Sequence, residues 1–262
     1  MRRSVLLAPA FALVLAGCPQ ASAPSDGGAP VADGGVDAGA LDDAGPGGGP
    51  DAGVDAGPAV APGFGVITGP CGVLDDELTA PAPGYVQNAI DFGSDPYDDG
   101  DLARLTAGGQ EILSDGNAGG SSLLSEVFAF EVLDRCEGAV LLKTETEVSY
   151  VDPQGKITDL LVEIDGLKIG VSVTRAVAFP FEDPYTVEQA RAILEQKLQG
   201  VLDASANVAP EDAWVKQILH VIAYAPGHAG ALEQALGGID AALKADTIVY
   251  VTVSDGDDAF LY

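Results

Sequence analysis

Ionisable and hydroxyl side chains are predicted to share one face of a β-hairpin. Asp165-Gly166 separates two runs of alternating residues, and this dipeptide is the strongest short-range signal for a two-residue turn. The turn sets the register, so that Glu163 faces Lys168 and Asp159 faces Ser172. The polar face then carries Asp159, Glu163, Lys168, Ser172 and Thr174. Asp159 could serve a site, or it could be structural, bonded to Ser172 across the hairpin or to a helix end.

The other face of this hairpin is apolar and must be packed against a core. Alternation places on it Leu160, Val162, Ile164, Leu167, Ile169, Val171 and Val173. The hairpin strands are predicted at about 157–164 and 167–177, with a further strand before them at about 139–151. A helix from Ser121 to about Arg135 precedes the three strands, because its apolar residues recur at helical spacing.

The elements after the hairpin alternate between helix and strand. Thr186 and Gln189 form a capping box that opens a second long helix, and a strand at 217–224, a helix at 229–244 and a strand at 247–253 follow. The predicted order is α-β-β-β-α-β-α-β. This order indicates an α/β sandwich with a mixed sheet, preceded by an irregular Gly-, Pro- and Asp-rich arm at 63–120 that packs on the core of a 121–262 domain.

This element order resembles the core of the PD-(D/E)XK, or restriction-endonuclease-like, nuclease superfamily. In that family an acid on the first helix, an Asp on the second strand and an (Asp/Glu)-x-Lys on the third meet at one or two divalent metals. Glu126 lies on the first predicted helix and Asp159 on the second strand, and the third-strand motif falls on Ser172 and Thr174. The resemblance implies Glu126, Asp159, Ser172 and Thr174 as the candidate catalytic positions, with Glu126 and Asp159 as metal ligands.

The sequence departs from the family at the two positions that carry charge. Ser172 stands where the family has a metal-binding carboxylate, and Thr174 stands where it has the lysine. Two hydroxyls neither neutralise Mg²⁺ nor supply a cation, so we expect no cofactor, or Mg²⁺ only if the site is active. Glu163, Lys168 and Lys197 are the residues that could replace the missing groups. A surface ion pair for Glu163 and Lys168, and a plain surface role for Lys197, are the competing interpretations.

Other motifs carry little chemistry. His220 lies inside a predicted strand and His228 in the turn before a helix, without neighbouring ligands at metal spacing. The acidic run at 95–101 differs from a calcium loop, because Tyr97 occupies an oxygen position and no Glu closes it. The acidic run at 255–258 is interpreted as a turn.

The first residues have the pattern of a bacterial export signal. Arg2 and Arg3 precede a short apolar run, which ends in Leu15-Ala16-Gly17-Cys18. This ending resembles a lipobox, which implies a signal peptide at 1–17 and lipidation of Cys18. Pro19 follows where an aspartate would signal inner-membrane retention in enteric bacteria, so an outer-membrane location is favoured.

Residues 18–62 are predicted to form a disordered linker, because Gly, Ala, Pro and Asp cannot bury enough apolar surface to order it. The chain carries 12 Lys and Arg against 40 Asp and Glu, and removing residues 1–62, with two arginines and seven aspartates, leaves 10 against 33. An acidic domain repels phosphate backbones, which argues against nucleic acid as a partner.

Cys71 and Cys136 remain once Cys18 is lipidated. An even pair in an exported domain indicates a disulfide, and two free buried thiols are the alternative.

Three functions fit these observations. The first is an envelope lipoprotein whose nuclease-like domain has lost catalysis and binds a protein or glycan. The second is a metal-dependent nuclease with a rearranged site, for example a lipoprotein toxin. The third is a structural envelope protein that uses the fold as a scaffold.

Overall fold

The computed structural model describes residues 64–117 and 122–262. Seven strands form a single mixed sheet: β1 (Val66–Thr68), β2 (Gly84–Asp91), β3 (Val140–Thr144), β4 (Leu160–Ile164), β5 (Leu167–Ala176), β6 (Lys216–Ala223) and β7 (Ile248–Asp255). The strand order is β1-β2-β7-β6-β5-β4-β3. The four central strands, β2, β7, β6 and β5, are parallel, and the outer strands join them antiparallel.

Helices cover both faces of this sheet, as a largely parallel sheet requires. The helices are α1 (Ala107–Asp115), α2 (Leu123–Glu137), α3 (Val187–Asn207), α4 (Pro226–Gly237) and the short α5 (Ala241–Lys244). One apolar core packs α1 and α2 against the sheet, and a second packs α3 and α4 against the opposite face. The α/β class, the mixed sheet and the predicted order of helices and strands after residue 121 are confirmed, except that the helix predicted at 229–244 is divided into α4 and α5.

The hairpin between β4 and β5 has the predicted register. Ile164 pairs with Leu167 and Glu163 with Lys168. The residues predicted for the core face are buried or partly buried in the core formed with α2. The capping box is also present, because Thr186 Oγ1 accepts from Gln189 N and Gln189 Oε1 accepts from Thr186 N. Both features depend on contacts between residues close in the sequence.

Residues 64–117 of the predicted arm pack on the core, and they are not irregular throughout. β2 lies between β1 and β7, in parallel register with β7 from Gly84 opposite Ile248 to Asp91 opposite Asp255. Two 3₁₀ turns and α1 follow or flank these strands. The prediction failed here because a parallel pairing between segments more than 150 residues apart has no local turn signal.

The start of the arm is fastened to the end of α2. Cys71 and Cys136 form a disulfide across 65 residues. The Glu137 carboxylate accepts hydrogen bonds from the backbone N–H groups of Gly72, Val73 and Leu74. Several independent contacts therefore fix the arm.

The start of β6 holds the part of the arm that precedes β2. The buried Lys216 donates to the carbonyl oxygens of Ala80 and Ala82 at 2.6 and 3.1 Å, and burial lowers the pKa of this lysine. These contacts fix the segment immediately before β2.

The residues assigned to the signal peptide, Cys18 and the linker to residue 62 lie outside the described residues. Within residues 64–117 and 122–262, no helix combines the length and apolar content needed to cross a bilayer.

Candidate functional site

The structure brings together most of the residues singled out in the sequence. Glu126, Asp159 and Thr174 line one pocket of about 270 Å³, and Lys197 of α3 lines it as well. Ser172 lines an adjoining depression that shares Asp159 and Lys197 with this pocket. We call the first the polar pocket. It lies where the start of α2, the entry to β4, the end of β5 and the middle of α3 meet.

Glu126 is held by its neighbours at the start of α2. Glu126 is only 4% exposed, and its Oε1 atom accepts hydrogen bonds from Asn117 Nδ2 at 2.9 Å and from Ser122 Oγ at 2.8 Å. Ser122 is the residue that precedes the helix. Amide and hydroxyl donors therefore orient this carboxylate towards the pocket without supplying a positive charge.

Asp159 precedes β4 and does not lie within the strand. Its backbone N–H donates to Val171 O at 3.1 Å, and its Oδ2 atom accepts from the backbone N–H of Val173 at 2.6 Å. A structural bond to Ser172 was one alternative for Asp159; the carboxylate instead bonds to the backbone one residue further along β5, because the strand pairing ends at Leu160.

Burial raises the pKa of Asp159 to about 7, although the Val173 N–H opposes this shift. The nearby Glu126 and Glu145 raise the pKa further, and Lys197 lowers it. Like charges close to a buried carboxylate disfavour its ionised form. The protonated form of Asp159 is therefore favoured more than that of an exposed aspartate.

Ser172 and Thr174 bring hydroxyl groups to the places where the nuclease family has charged side chains. Ser172 is buried, and its Oγ lies 3.4 Å from Thr158 Oγ1. Thr174 lines the polar pocket. Neither residue can replace a carboxylate or a lysine, so the departure seen in the sequence persists in the folded protein.

Lys197, Glu145 and Arg175 supply the remaining charges of the polar pocket. Arg175 also donates to the carbonyl of Leu261 at 3.3 Å. Only Lys197 among these residues is a site candidate by sequence, through its position in the predicted helix. The predicted strand at 139–151 includes Glu145, but β3 ends at Thr144, and alternation along the hairpin gives Arg175 no place on its polar face.

Glu163 and Lys168 are not brought to the site. They are cross-strand partners at the hairpin end, and Lys168 Nζ donates to the carbonyl of Glu211 at 2.6 Å. Neither residue lines the polar pocket.

The pocket carboxylates do not form a three-ligand metal site. In the described part of the chain, the only three acids whose ligand atoms lie within 4.8 Å of one another are the exposed Glu111, Asp115 and Glu147. Glu126, Glu145 and Asp159 are more widely separated than this. A divalent cation needs several oxygen ligands at about 2.0–2.6 Å, so the pocket as it stands does not fit Mg²⁺.

The two histidines lie outside the polar pocket. His220 is buried in β6, with its Nε2 atom 2.8 Å from Thr252 Oγ1, and burial lowers its pKa to about 3. His228 stacks on Tyr185. Both side chains pack against other residues, although His228 lies within α4 and not in the turn before it.

Comparisons with known proteins are sparse. No family model matches the chain. It is 44% identical over 153 residues to the AAC-rich mRNA clone AAC4 protein of Dictyostelium discoideum. The aligned region covers 56% of this chain and 22% of that protein. The chain thus spans about a fifth of that relative. In structure it is similar to Pyrococcus furiosus SfsA in complex with Ca²⁺, with a TM-score of 0.27 and 15% identity over 52% of this chain and 58% of that one.

Proposed function

We propose that this protein is a lipid-anchored envelope protein whose nuclease-like domain binds a ligand at the polar pocket and does not hydrolyse phosphodiesters. The anchor is Cys18, the linker carries the domain away from an outer-membrane surface, and the partner is a protein or glycan. The nuclease-like assignment is supported by the order of helices and strands and by the convergence of Glu126 and Asp159.

The proposed loss of catalysis depends on the residues around Asp159. The Asp159 carboxylate accepts a hydrogen bond from the Val173 N–H, and the neighbouring positions on β5 carry Ser172 and Thr174 in place of an acid and a lysine. β5 therefore lacks the acid and the lysine that in the nuclease family hold a metal and stabilise the transferring phosphate.

The test of lost catalysis uses full-length protein purified in detergent. We expect no cleavage of single- or double-stranded DNA or RNA with Mg²⁺ or Mn²⁺, and no tight uptake of either ion in calorimetry. Metal-dependent cleavage that disappears in Asp159→Ala would contradict the proposal.

The anchor has a separate test. Expression in a bacterial host should give a membrane-bound protein whose amino-terminal peptide carries the mass of acyl chains on Cys18. The Cys18→Ser variant should lose both the added mass and the membrane association. A wild-type chain released without acyl groups would disprove the anchor.

A rearranged metal-dependent nuclease is the second candidate. It is favoured by one observation: Lys197 and Glu145 line the same pocket as Glu126 and Asp159, so a cation and a third acid lie near the two retained acids. If this function is correct, cytoplasmic expression arrests growth, and Lys197→Gln relieves the arrest. Lys168→Gln is the matched control, because Lys168 lies at the far end of the hairpin.

A further inference from the structure

A chain of hydrogen-bonded side chains crosses three neighbouring strands of the sheet. It links His220 on β6 to Thr252 on β7, then to Asn88 on β2 and to Tyr250 on β7, and it ends at Glu137, the last residue of α2. The four strand residues are at most 3% exposed. Their polar groups must therefore satisfy one another, because bulk water does not reach them. We call these five side chains the sheet relay.

The donors of the sheet relay all point the same way. Thr252 Oγ1 donates its one hydrogen to Asn88 Oδ1 at 2.8 Å, so towards His220 Nε2, also at 2.8 Å, it can only accept. Asn88 Nδ2 then donates to the Tyr250 hydroxyl at 3.0 Å, and this hydroxyl donates to Glu137 Oε1 at 3.1 Å. His220 must therefore carry its proton on Nε2, since the partner of a ring nitrogen decides the tautomer.

Glu137 sets this direction, because a carboxylate accepts hydrogen bonds and has none to donate. The same carboxylate fastens the arm, since it accepts from the backbone N–H groups of Gly72, Val73 and Leu74 at 3.3, 2.9 and 3.0 Å. One side chain is thus both the clamp on the arm and the final acceptor of the relay.

The sheet relay can also be satisfied in the opposite direction. With a donor at the place of Glu137 Oε1, the Tyr250 hydroxyl accepts from that donor and donates to a flipped Asn88 amide. The amide then donates to Thr252, and Thr252 donates to His220 Nε2, which leaves the proton of His220 on Nδ1. This atom has no hydrogen-bond partner among the described residues, so neither direction breaks a bond there.

We propose that the group at position 137 selects the tautomer of His220 through the sheet relay, so that the clamp on the arm is coupled to the centre of the sheet. The coupling has a physical two-state element, because the donors of the relay have two mutually exclusive directions. None of the five side chains lines the polar pocket, so the inference is independent of the proposed function.

Nitrogen-15 NMR of the histidine rings tests the proposal, because a protonated ring nitrogen resonates far from an unprotonated one. The sample is full-length wild type in detergent at pH 7.5, where His220 is neutral because burial lowers its pKa to about 3. We expect a proton on Nε2 and none on Nδ1. The chain has one other histidine, His228, whose signals are identified by their loss in His228→Phe.

The variant Glu137→Gln supplies a donor in place of an acceptor. The new amide oxygen can keep the bonds from Val73 and Leu74 while the amide nitrogen donates to Tyr250. We expect the His220 signals to shift from the Nε2–H form to the Nδ1–H form. The matched control is Glu77→Gln, an exposed glutamate of the arm, which should keep the wild-type tautomer.

Removal of the Tyr250 hydroxyl interrupts the sheet relay and makes the test specific. The His220 spectra of Tyr250→Phe and of Tyr250→Phe/Glu137→Gln should be the same, because position 137 then has no connection to Asn88. A proton on Nδ1 in the wild type would overturn the proposal, whether or not any variant folds. An unchanged tautomer in folded Glu137→Gln, or a change that persists without the hydroxyl, would overturn it too.

Discussion

The carboxylate of Asp159, the residue just before β4, accepts a hydrogen bond of 2.6 Å from the backbone N–H of Val173 on β5. This contact closes the hairpin at the point where regular pairing stops, and it buries an ionisable group beside two other acids. Asp159 is therefore both part of the structure and part of the candidate site.

The first prediction concerns the alkaline side of the stability profile. Because the pKa of Asp159 in the folded protein is raised to about 7 from its ordinary 3.8, its stabilising contribution is complete below pH 4 and is lost as the pH rises to 7. Between pH 4 and pH 8, the wild type should therefore lose about 2–4 kcal/mol relative to Asp159→Asn, which cannot ionise. Urea unfolding at several pH values measures this difference. Asp183→Asn, an exposed control, should follow the wild type.

The second prediction concerns the acid side. Burial lowers the pKa of His220 to about 3 from 6.5, so its contribution is present above pH 6.5 and is lost as the pH falls towards 3. We expect His220→Phe to remove about 4 kcal/mol of this acid destabilisation. Its Nδ1 atom has no hydrogen-bond partner in the described structure, so phenylalanine loses only the contact to Thr252. If the stabilities of the wild type and His220→Phe fall equally as the pH is lowered, the acid destabilisation does not come from His220.

The third prediction concerns the fastening of the arm. The double variant Cys71→Ser/Cys136→Ser lacks the disulfide, so its unfolded chain is no longer closed into a loop across 65 residues. The free energy of unfolding should fall by up to about 4 kcal/mol. The arm should nevertheless stay in place, because Glu137 holds three backbone N–H groups and Arg135 lies 3.6 Å over the Phe64 ring. Hydrogen exchange should show residues 84–91 still protected. Rapid exchange there would show that the disulfide alone holds the arm.

The fourth prediction concerns close packing behind the hairpin. A methyl group added to Gly170 would come within 2.6 Å of the Trp214 ring, so Gly170→Ala should cost about 1–3 kcal/mol and change the fluorescence of this single tryptophan. Gly230→Ala on α4 is the matched control, because its added methyl group meets open space. In a helix, that change should stabilise by up to about 1 kcal/mol. Equal stability of the two variants would contradict the packing argument.

The site could be predicted in part because some of its residues are placed by local rules. Alternation from the Asp165-Gly166 turn assigns Ser172 and Thr174 to one face, and helical spacing places Glu126 at the start of α2. Glu145 follows the end of β3 in a turn, and no periodic pattern indicates where such a residue lies. Its approach to Asp159 depends on how the sheet is assembled.

The α/β class, the hairpin register, the capped start of α3 and the uncharged residues at 172 and 174 could all be predicted from the sequence, because they depend on residue type and on neighbours a few positions away. The packing of distant segments places β2 beside β7 and brings Lys197 and Asp159 to the lining of the same pocket. These relationships join segments far apart in the chain. They depend on which helix and strand faces pack against one another. Alternation or helical spacing within one segment does not indicate its packing partner.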